Sequence, residues 1–237
     1  MSAELSATYA RGVHDTDLSA VGSLLGDPSR AQMLDALMGG RALTASELAG
    51  IAGVGRSTAS EHLSRLLAGG LVSAVAQGRH RYYRIAGPEV GAALEALSRV
   101  APPRPVTSLR QSGHAQALGF ARTCYDHLAG RCGVELHDAL RSHDWLSAAY
   151  DVTPAGMAAL AEWGVDVAAA RARRRSFARP CLDWTERRPH LAGGLGAAVT
   201  DALVDRGWFV HRAADSRALR VTDAGRAGLS ELGCDLG

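Results

Sequence analysis

The run Ser57-Thr-Ala-Ser-Glu-His-Leu-Ser-Arg-Leu-Leu-Ala-Gly-Gly-Leu-Val72 decides how the first third of this 237-residue chain folds. Ala59, Leu63, Leu66 and Leu67 recur every three or four positions, so a helix from about Arg56 to Ala68 buries that side. The other side carries Arg56, Ser57, Thr58, Ser60, Glu61 and Ser64. Small side chains permit close approach to a DNA groove, hydroxyls reach phosphates or base edges, and arginine bridges guanine O6 and N7. Immediately upstream, Ala52-Gly-Val-Gly55 turns the chain within four residues, the short glycine-containing turn that a helix-turn-helix requires. Before that turn, Thr44-Ala-Ser-Glu47 is a capping box that opens a helix with Leu48 and Ile51 inward. Earlier still, Asp27-Pro28 caps a helix with Ala31, Leu34, Leu37 and Met38 on one face, and Gly39-Gly40 ends it.

Downstream, Gly70-Leu-Val-Ser-Ala-Val-Ala76 reads as a strand, Gln77-Gly78 as a tight turn, and Arg79-His-Arg-Tyr-Tyr-Arg-Ile85 as the returning strand. This basic hairpin, with Arg79, His80 and Arg81 at its tip, is a wing placed to touch phosphates or the minor groove. Residues 27–87 hold seven arginines against four acids, a local charge of +3. The plain alternative for Arg56, Ser57, Thr58 and Ser60 is a solvated helix face; the turn, the wing and the charge together favour DNA contact. His62 lies toward the buried side and reads either as a packed histidine or as a phosphate contact. Glu61 either caps locally or accepts from cytosine N4.

Outside this segment the composition sets broad limits. Apolar residues make up 47% and charged residues 21%, the balance of a globular chain. The net charge of +2 is too small to argue for nucleic acid, and all 26 basic residues are arginine. No apolar run reaches the ~18–20 residues that cross a bilayer, and Met1-Ser-Ala-Glu-Leu-Ser6 has no signal-peptide pattern. A cytoplasmic protein is expected, with Cys124, Cys132, Cys181 and Cys234 mostly reduced. No CxxC pair occurs, so neither a metal site nor a cofactor is expected. An enzyme is not expected either: there is no G-x-S-x-G, no phosphate-binding glycine loop and no metalloprotease helix.

Ala101-Pro-Pro-Arg-Pro-Val-Thr107 cannot continue a helix or a central strand, so it marks a linker between domains 1–100 and 108–237. The second domain contains an internal repeat, about 121–166 and 178–235. His127-Leu-Ala-Gly130, Gly133, Asp138-Ala-Leu140 and Trp145 return 63 residues later as His190-Leu-Ala-Gly193, Gly196, Asp201-Ala-Leu203 and Trp208. Val152-Thr-Pro-Ala-Gly156 returns as Val221-Thr-Asp-Ala-Gly225, and Ala121-Arg-Thr-Cys-Tyr-Asp126 matches Ala178-Arg-Pro-Cys-Leu-Asp183. We read a duplicated supersecondary unit. In each unit two helices precede a short strand at the tryptophan, and a turn and a second strand lead to a closing helix capped at Thr153 or Thr222. The fold class is therefore mainly α with small β-wings (α+β): an N-terminal winged helix-turn-helix and two duplicated winged-helix-like units.

In this second domain Cys124 and Cys181 each sit in Arg-x-Cys-x-Asp. On a helix the Arg and Asp, four apart, would pair while the cysteine points inward. The cysteines read either as buried small hydrophobes or as thiol sensors. Packing of the two units face to face would bring Cys124, Asp126, His127, Cys181, Asp183, Trp184 and His190 together as an effector site. Cys124 with His127 alone would be two metal ligands, too few for a site. Trp145, Trp184 and Trp208 read as core, and Arg171-Ala-Arg-Arg-Arg175 as a solvated face.

The segment Ser57–Val72, with Asp27-Pro-Ser-Arg30 before it and Gly78-Arg-His-Arg-Tyr-Tyr-Arg-Ile85 after it, resembles the ArsR family of winged-helix repressors over roughly residues 16–100. The resemblance implies a homodimer paired through helices at about 16–26 and 88–100, a recognition helix in the major groove of double-stranded DNA, and an inverted-repeat operator. It further implies repression relieved by an effector, of small-molecule or redox kind here; the alternative is a constitutive DNA-binding regulator whose C-terminal repeats serve dimerisation or protein contacts. Two features depart from the family. Glu47-Leu-Ala-Gly50 has no cysteine, and Pro88–Val100 offers Glu89 and Glu95 where metal-sensing members place Asp/His pairs.

Overall fold

The computed structural model describes residues 16–102, 105–213 and 216–237. Residues 1–15, part of the proline-rich stretch and the centre of the turn after His211 lie outside the described residues. The N-terminal domain begins with α1 (Leu18–Leu25), α2 (Pro28–Leu37), β1 (Leu43–Thr44), α3 (Ala45–Ala52) and α4 (Arg56–Ala68). The wing strands β2 (Val72–Gln77) and β3 (His80–Ile85) follow, then α5 (Pro88–Val100). Local chemistry accounts for each boundary. Asp27 accepts from the Arg30 amide at 3.0 Å, with Pro28 in the first turn. Thr44 and Glu47 close the expected capping box. Gly53, at φ 64°, makes the left-handed turn between α3 and α4.

The wing is a three-stranded antiparallel sheet in the order β1-β3-β2. Gln77 pairs with His80, so Arg79 stands in the two-residue turn rather than on the returning strand as expected. Leu48, Ala59, Leu63 and Leu66 are fully or nearly fully buried, joined by Leu34, Leu37, Val72 and Ile85. Met33, outside the expected stripe, is also buried, while Ala31 is half-buried.

The C-terminal domain opens with α6 (Leu109–Phe120), then β4 (Arg122–Cys124), β5 (His127–Ala129), α7 (Arg131–Ser142), α8 (Pro154–Glu162) and α9 (Val167–Ala172). It continues through β6 (Arg179–Leu182), β7 (Pro189–Ala192), α10 (Gly193–Asp205), β8 (Phe209–His211), β9 (Leu219–Val221) and α11 (Asp223–Glu231). The Arg-x-Cys-x-Asp segments are thus hairpin strands, a correction to the helices expected there. A turn directly after each cysteine lets the chain fold back on itself, and the two hairpins keep one register: Cys124 faces His127, and Cys181 faces His190. The six additional residues of the second hairpin lie in its loop, where Asp183 accepts from the amides of Thr185 and Glu186.

Beyond the hairpins the elements correspond pairwise, α7 with α10 and α8 with α11. Leu146 bridges Val152 in the first half, as Phe209 pairs with Val221 in the second. Thr153 caps α8 through the Gly156 amide and Thr222 caps α11 through the Gly225 amide, each at 3.0 Å. A Cβ on Gly156 would lie 2.1 Å from the Trp145 carbonyl oxygen, and one on Gly225 2.2 Å from that of Trp208. These Thr-x-x-Gly motifs therefore exist for the same close approach. Leu140, Leu160, Leu195, Leu203, Phe209 and Leu229 merge both halves into one core.

Contacts cross between the two domains. Arg217, buried in the C-terminal domain, reaches Glu95 on α5 at 2.8 Å and Asp35 on α2 at 3.2 Å. Tyr125, at the tip of the first hairpin with φ 61°, packs onto Gly91 of α5, where a Cβ would meet its ring at 2.7 Å. Glu95 thus serves as a buried docking partner.

Candidate nucleic-acid interface and buried cysteine–histidine cluster

The outward face of α4 presents Arg56, Ser57, Thr58, Ser60, Glu61 and Ser64, all exposed. Gly55 caps this helix without a side chain, which leaves its first amides free to meet an anion. Ser60 Oγ donates to the Arg56 carbonyl at 3.0 Å, so its hydroxyl is engaged within the helix. Glu61 neither caps nor stands alone: Arg65, one turn on, donates to it at 2.6 Å and neutralises its charge. His62 does not face the groove side. Its Nδ1 is 3.3 Å from Arg30 and its Nε2 3.8 Å from Asp27, both at the start of α2, so it ties the two helices together. At the wing Arg79, His80 and Arg81 are exposed; Arg79 Nε donates to His80, and Arg81 lies over the Tyr83 ring.

The hairpins β4–β5 and β6–β7 lie against each other and bring Cys124, His127, Cys181 and His190 together. The potential ligand atoms of all four lie within 4.8 Å of one another, and all four residues are buried. Cys124 Sγ is 3.8 Å from Cys181 Sγ. The hydrogen bond shared with Cys124 holds Cys181 well below the ordinary thiol range against the effect of burial, helped by His127 and His190. The same bond, with burial, pushes Cys124 up. Burial pulls His190 down, but Asp183 and Cys181 outweigh it and raise its pKa. Cys132 and Cys234 lie elsewhere; burial pushes them up to about 12 and about 11, so they remain thiols.

The acids of the two Arg-x-Cys-x-Asp segments do not pair within their own segments. Arg122, fully buried, crosses to Asp183 at 2.9 Å, and Asp183 also accepts from the Gly130 amide at 2.7 Å. Asp126 instead receives Arg175, which the sequence places in a solvated run but which is drawn inward to Asp126 and the Gly193 carbonyl. Trp184 stands aside from the cluster under the Arg122 guanidinium, 4.6 Å from its ring centroid.

Comparison with known proteins bears on this arrangement. A helix-turn-helix domain model matches residues 25–74. The HTH-type transcriptional regulator YdfF of Bacillus subtilis (strain 168) is 41% identical over 213 residues, 89% of this chain and 94% of that protein. The chain belongs to the HTH-type transcriptional regulators. Because the match spans 89% of the regulator, it runs well into the C-terminal domain. The HTH-type transcriptional regulator Rv0324 of Mycobacterium tuberculosis is 44% identical over 84 residues, 35% of this chain and 36% of its own. Among solved structures, the homodimeric winged helix-turn-helix domain Mb0332 of Mycobacterium bovis, described as a possible ArsR-family regulator, is 33% identical. It covers 38% of this regulator and 88% of its own chain, with a TM-score of 0.32.

Local periodicity found the groove-facing side of α4, but two features escaped it. The ties from His62 to Arg30 and Asp27 depend on how α2 crosses α4. The four-residue cluster draws on two hairpins whose cysteines lie 57 residues apart and whose histidines lie 63 apart. The repeat, not the periodicity, carried the signal for this juxtaposition, since each half holds a Cys and a His in matching places and packing of the two units brings them together. No helix among the described residues is long and apolar enough to cross a membrane.

Proposed function

We propose that the regulator is a homodimeric repressor of the ArsR type that releases its operator when an effector occupies the C-terminal domain. The observation that carries the reading is the exposed face of α4 beside a basic wing, with free amides at the helix start. In this reading Arg56, Ser57, Thr58, Ser60 and Ser64 meet base edges and phosphates in the major groove, and Arg79, His80 and Arg81 meet the flanking backbone. His62 positions the recognition helix from behind. Homodimer formation through α1 and α5 is supported by apolar side chains left outside: Leu18 is 77% exposed, Val100 79%, and Val21 and Leu97 are also exposed.

A route from effector to DNA is supported by the docking described above. The tip of the first hairpin, Tyr125, presses on α5, and Arg217 grips both α2 and α5. A change in the hairpins is thereby felt by the helix proposed to pair the protomers, which sets the spacing of the two recognition helices. A footprint on the DNA upstream of the regulator's own gene tests the proposal. An inverted repeat should be protected, its half-sites about one helical turn (~10–10.5 bp) apart, by a species of dimer mass. Protection by a monomer at a single half-site would contradict it.

A further inference from the structure

The cysteine–histidine cluster has the properties of a ligand set rather than of a packed core. His190 is 1% exposed and His127 is also buried, yet Nε2 of each ring has no hydrogen-bond partner among the described residues. Leaving polar atoms buried without partners is costly, and two imidazoles converging in this way call for a common ligand. The sulfurs supply the second half of the pattern. Two thiolates held about 2.3 Å from a tetrahedral ion stand about 3.8 Å apart, the separation of Cys124 and Cys181.

The surroundings match what a metal-binding histidine needs. A ligating imidazole is held by a carboxylate behind its other nitrogen. Asp126 lies 3.3 Å from Nδ1 of His127 and Asp183 lies 3.3 Å from Nδ1 of His190, so both rings offer Nε2. Each carboxylate is anchored in turn, Asp126 by Arg175 and Asp183 by Arg122. A cavity of about 250 Å³, lined by Cys124, His127 and Cys181 on one side and by Gly91 and Glu95 of α5 on the other, gives an entry path.

We propose that Cys124, His127, Cys181 and His190 form a tetrahedral site for a divalent ion of the zinc class, one ion per chain, and that this ion is the regulator's effector. Two thiolates and two neutral imidazoles leave a divalent ion electrically neutral, which suits a buried site, and sulfur with imidazole selects the zinc class over calcium or magnesium. The cluster forms between the two halves of the C-terminal domain, so the ion would clamp the first hairpin and fix Tyr125 against α5. A Cys124–Cys181 disulfide is the competing use of the sulfurs, but it would leave the imidazole nitrogens without partners. The site stands by itself; its role as effector rests on the repressor reading.

The test uses the full chain, reduced and stripped of metal by a chelator. Titrated with Co(II), it should take up one ion with tetrahedral d–d bands and thiolate-to-metal charge transfer, and Zn(II) should displace it. Cys181→Ser should weaken uptake by more than about a hundredfold, and Asp126→Asn by about 10- to 100-fold while keeping the tetrahedral spectrum. Cys132→Ser should change nothing. Because loss of binding can reflect misfolding, His127→Cys provides a positive control: it should still bind Co(II), with stronger charge transfer. No uptake by the reduced wild type, or a Co(II) spectrum unaltered in Cys181→Ser and His127→Cys, overturns the site. Zn(II) should weaken wild-type binding to a selected DNA duplex at least about fivefold and leave Cys181→Ser unaffected; equal DNA affinity with and without Zn(II) overturns the effector role. A metal-free protein that binds no DNA would instead count against the repressor reading, with the cobalt result still standing.

Discussion

On the N-terminal domain the chemically active side chains, Arg56, Ser57, Thr58, Arg79 and Arg81, lie exposed. In the C-terminal domain the corresponding chemistry is inside: Arg122, His127, Asp183 and His190 are all buried. The first domain can therefore change what it contacts with little effect on its own stability, because water already solvates those groups. The second cannot, because each buried ion or imidazole depends on particular neighbours for the hydrogen bonds and charge it lost on leaving water. A surface proposed to read DNA and an interior proposed to hold a ligand obey different rules, and substitutions should separate them.

The largest effect is expected inside. Arg122→Ala leaves Asp183 charged and buried without its main partner, and should cost about 3–5 kcal/mol in thermal or denaturant unfolding. A loss under about 1 kcal/mol would show that water reaches Asp183 and would erase the contrast between the domains. Next come the paired glycines. Gly156→Ala and Gly225→Ala each force a methyl group against a tryptophan carbonyl, and should each cost about 1–3 kcal/mol. Equal losses sharpen the correspondence of the two halves; a loss at one position alone breaks it.

The legibility of the two domains in the sequence differed for the same reason. The winged helix is built from local signals. Asp27-Pro28, the Thr44/Glu47 box, the glycines at 53 and 55 and the apolar stripe of α4 each specify structure within a few residues. The C-terminal domain announced its repetition, and its Thr-x-x-Gly caps stand where they were expected. Its hairpins did not, because three-residue strands such as Arg122–Cys124 are too short to show a period, and an Arg and an Asp four apart also fit a helix. The partners settle the matter: Arg122 and Asp183 are 61 residues apart and meet only when the hairpins stack. The arrangement of Glu95 and Arg217, 122 residues apart, was equally invisible.

That docking contact sits between the two regimes. Glu95→Ala leaves Arg217 with Asp35 alone, so about 1–3 kcal/mol should be lost, and proteolysis near residues 101–107 should accelerate relative to wild type. An unchanged cleavage rate would show that the domains are held by other contacts. On the exposed domain the effects move from stability to binding. Arg56→Ala should alter unfolding by no more than about 0.5 kcal/mol yet cost about 1–3 kcal/mol in discrimination between bases at one position of the half-site. The smallest expected change is at the wing, where Arg79→Ala or Arg81→Ala should weaken all sequences alike and lower the salt slope by about one. A base-specific loss there would move sequence reading from α4 to the wing.

The central claim is that the α4 face reads DNA sequence as part of a dimer, and in vitro selection from random duplexes tests it most directly. The full chain should enrich an inverted repeat with half-sites about one helical turn apart, and a variant carrying Arg56→Ala, Ser57→Ala and Thr58→Ala should lose that preference while still folding. Enrichment of the same motif by the variant, or no enrichment by the wild type, would contradict the account.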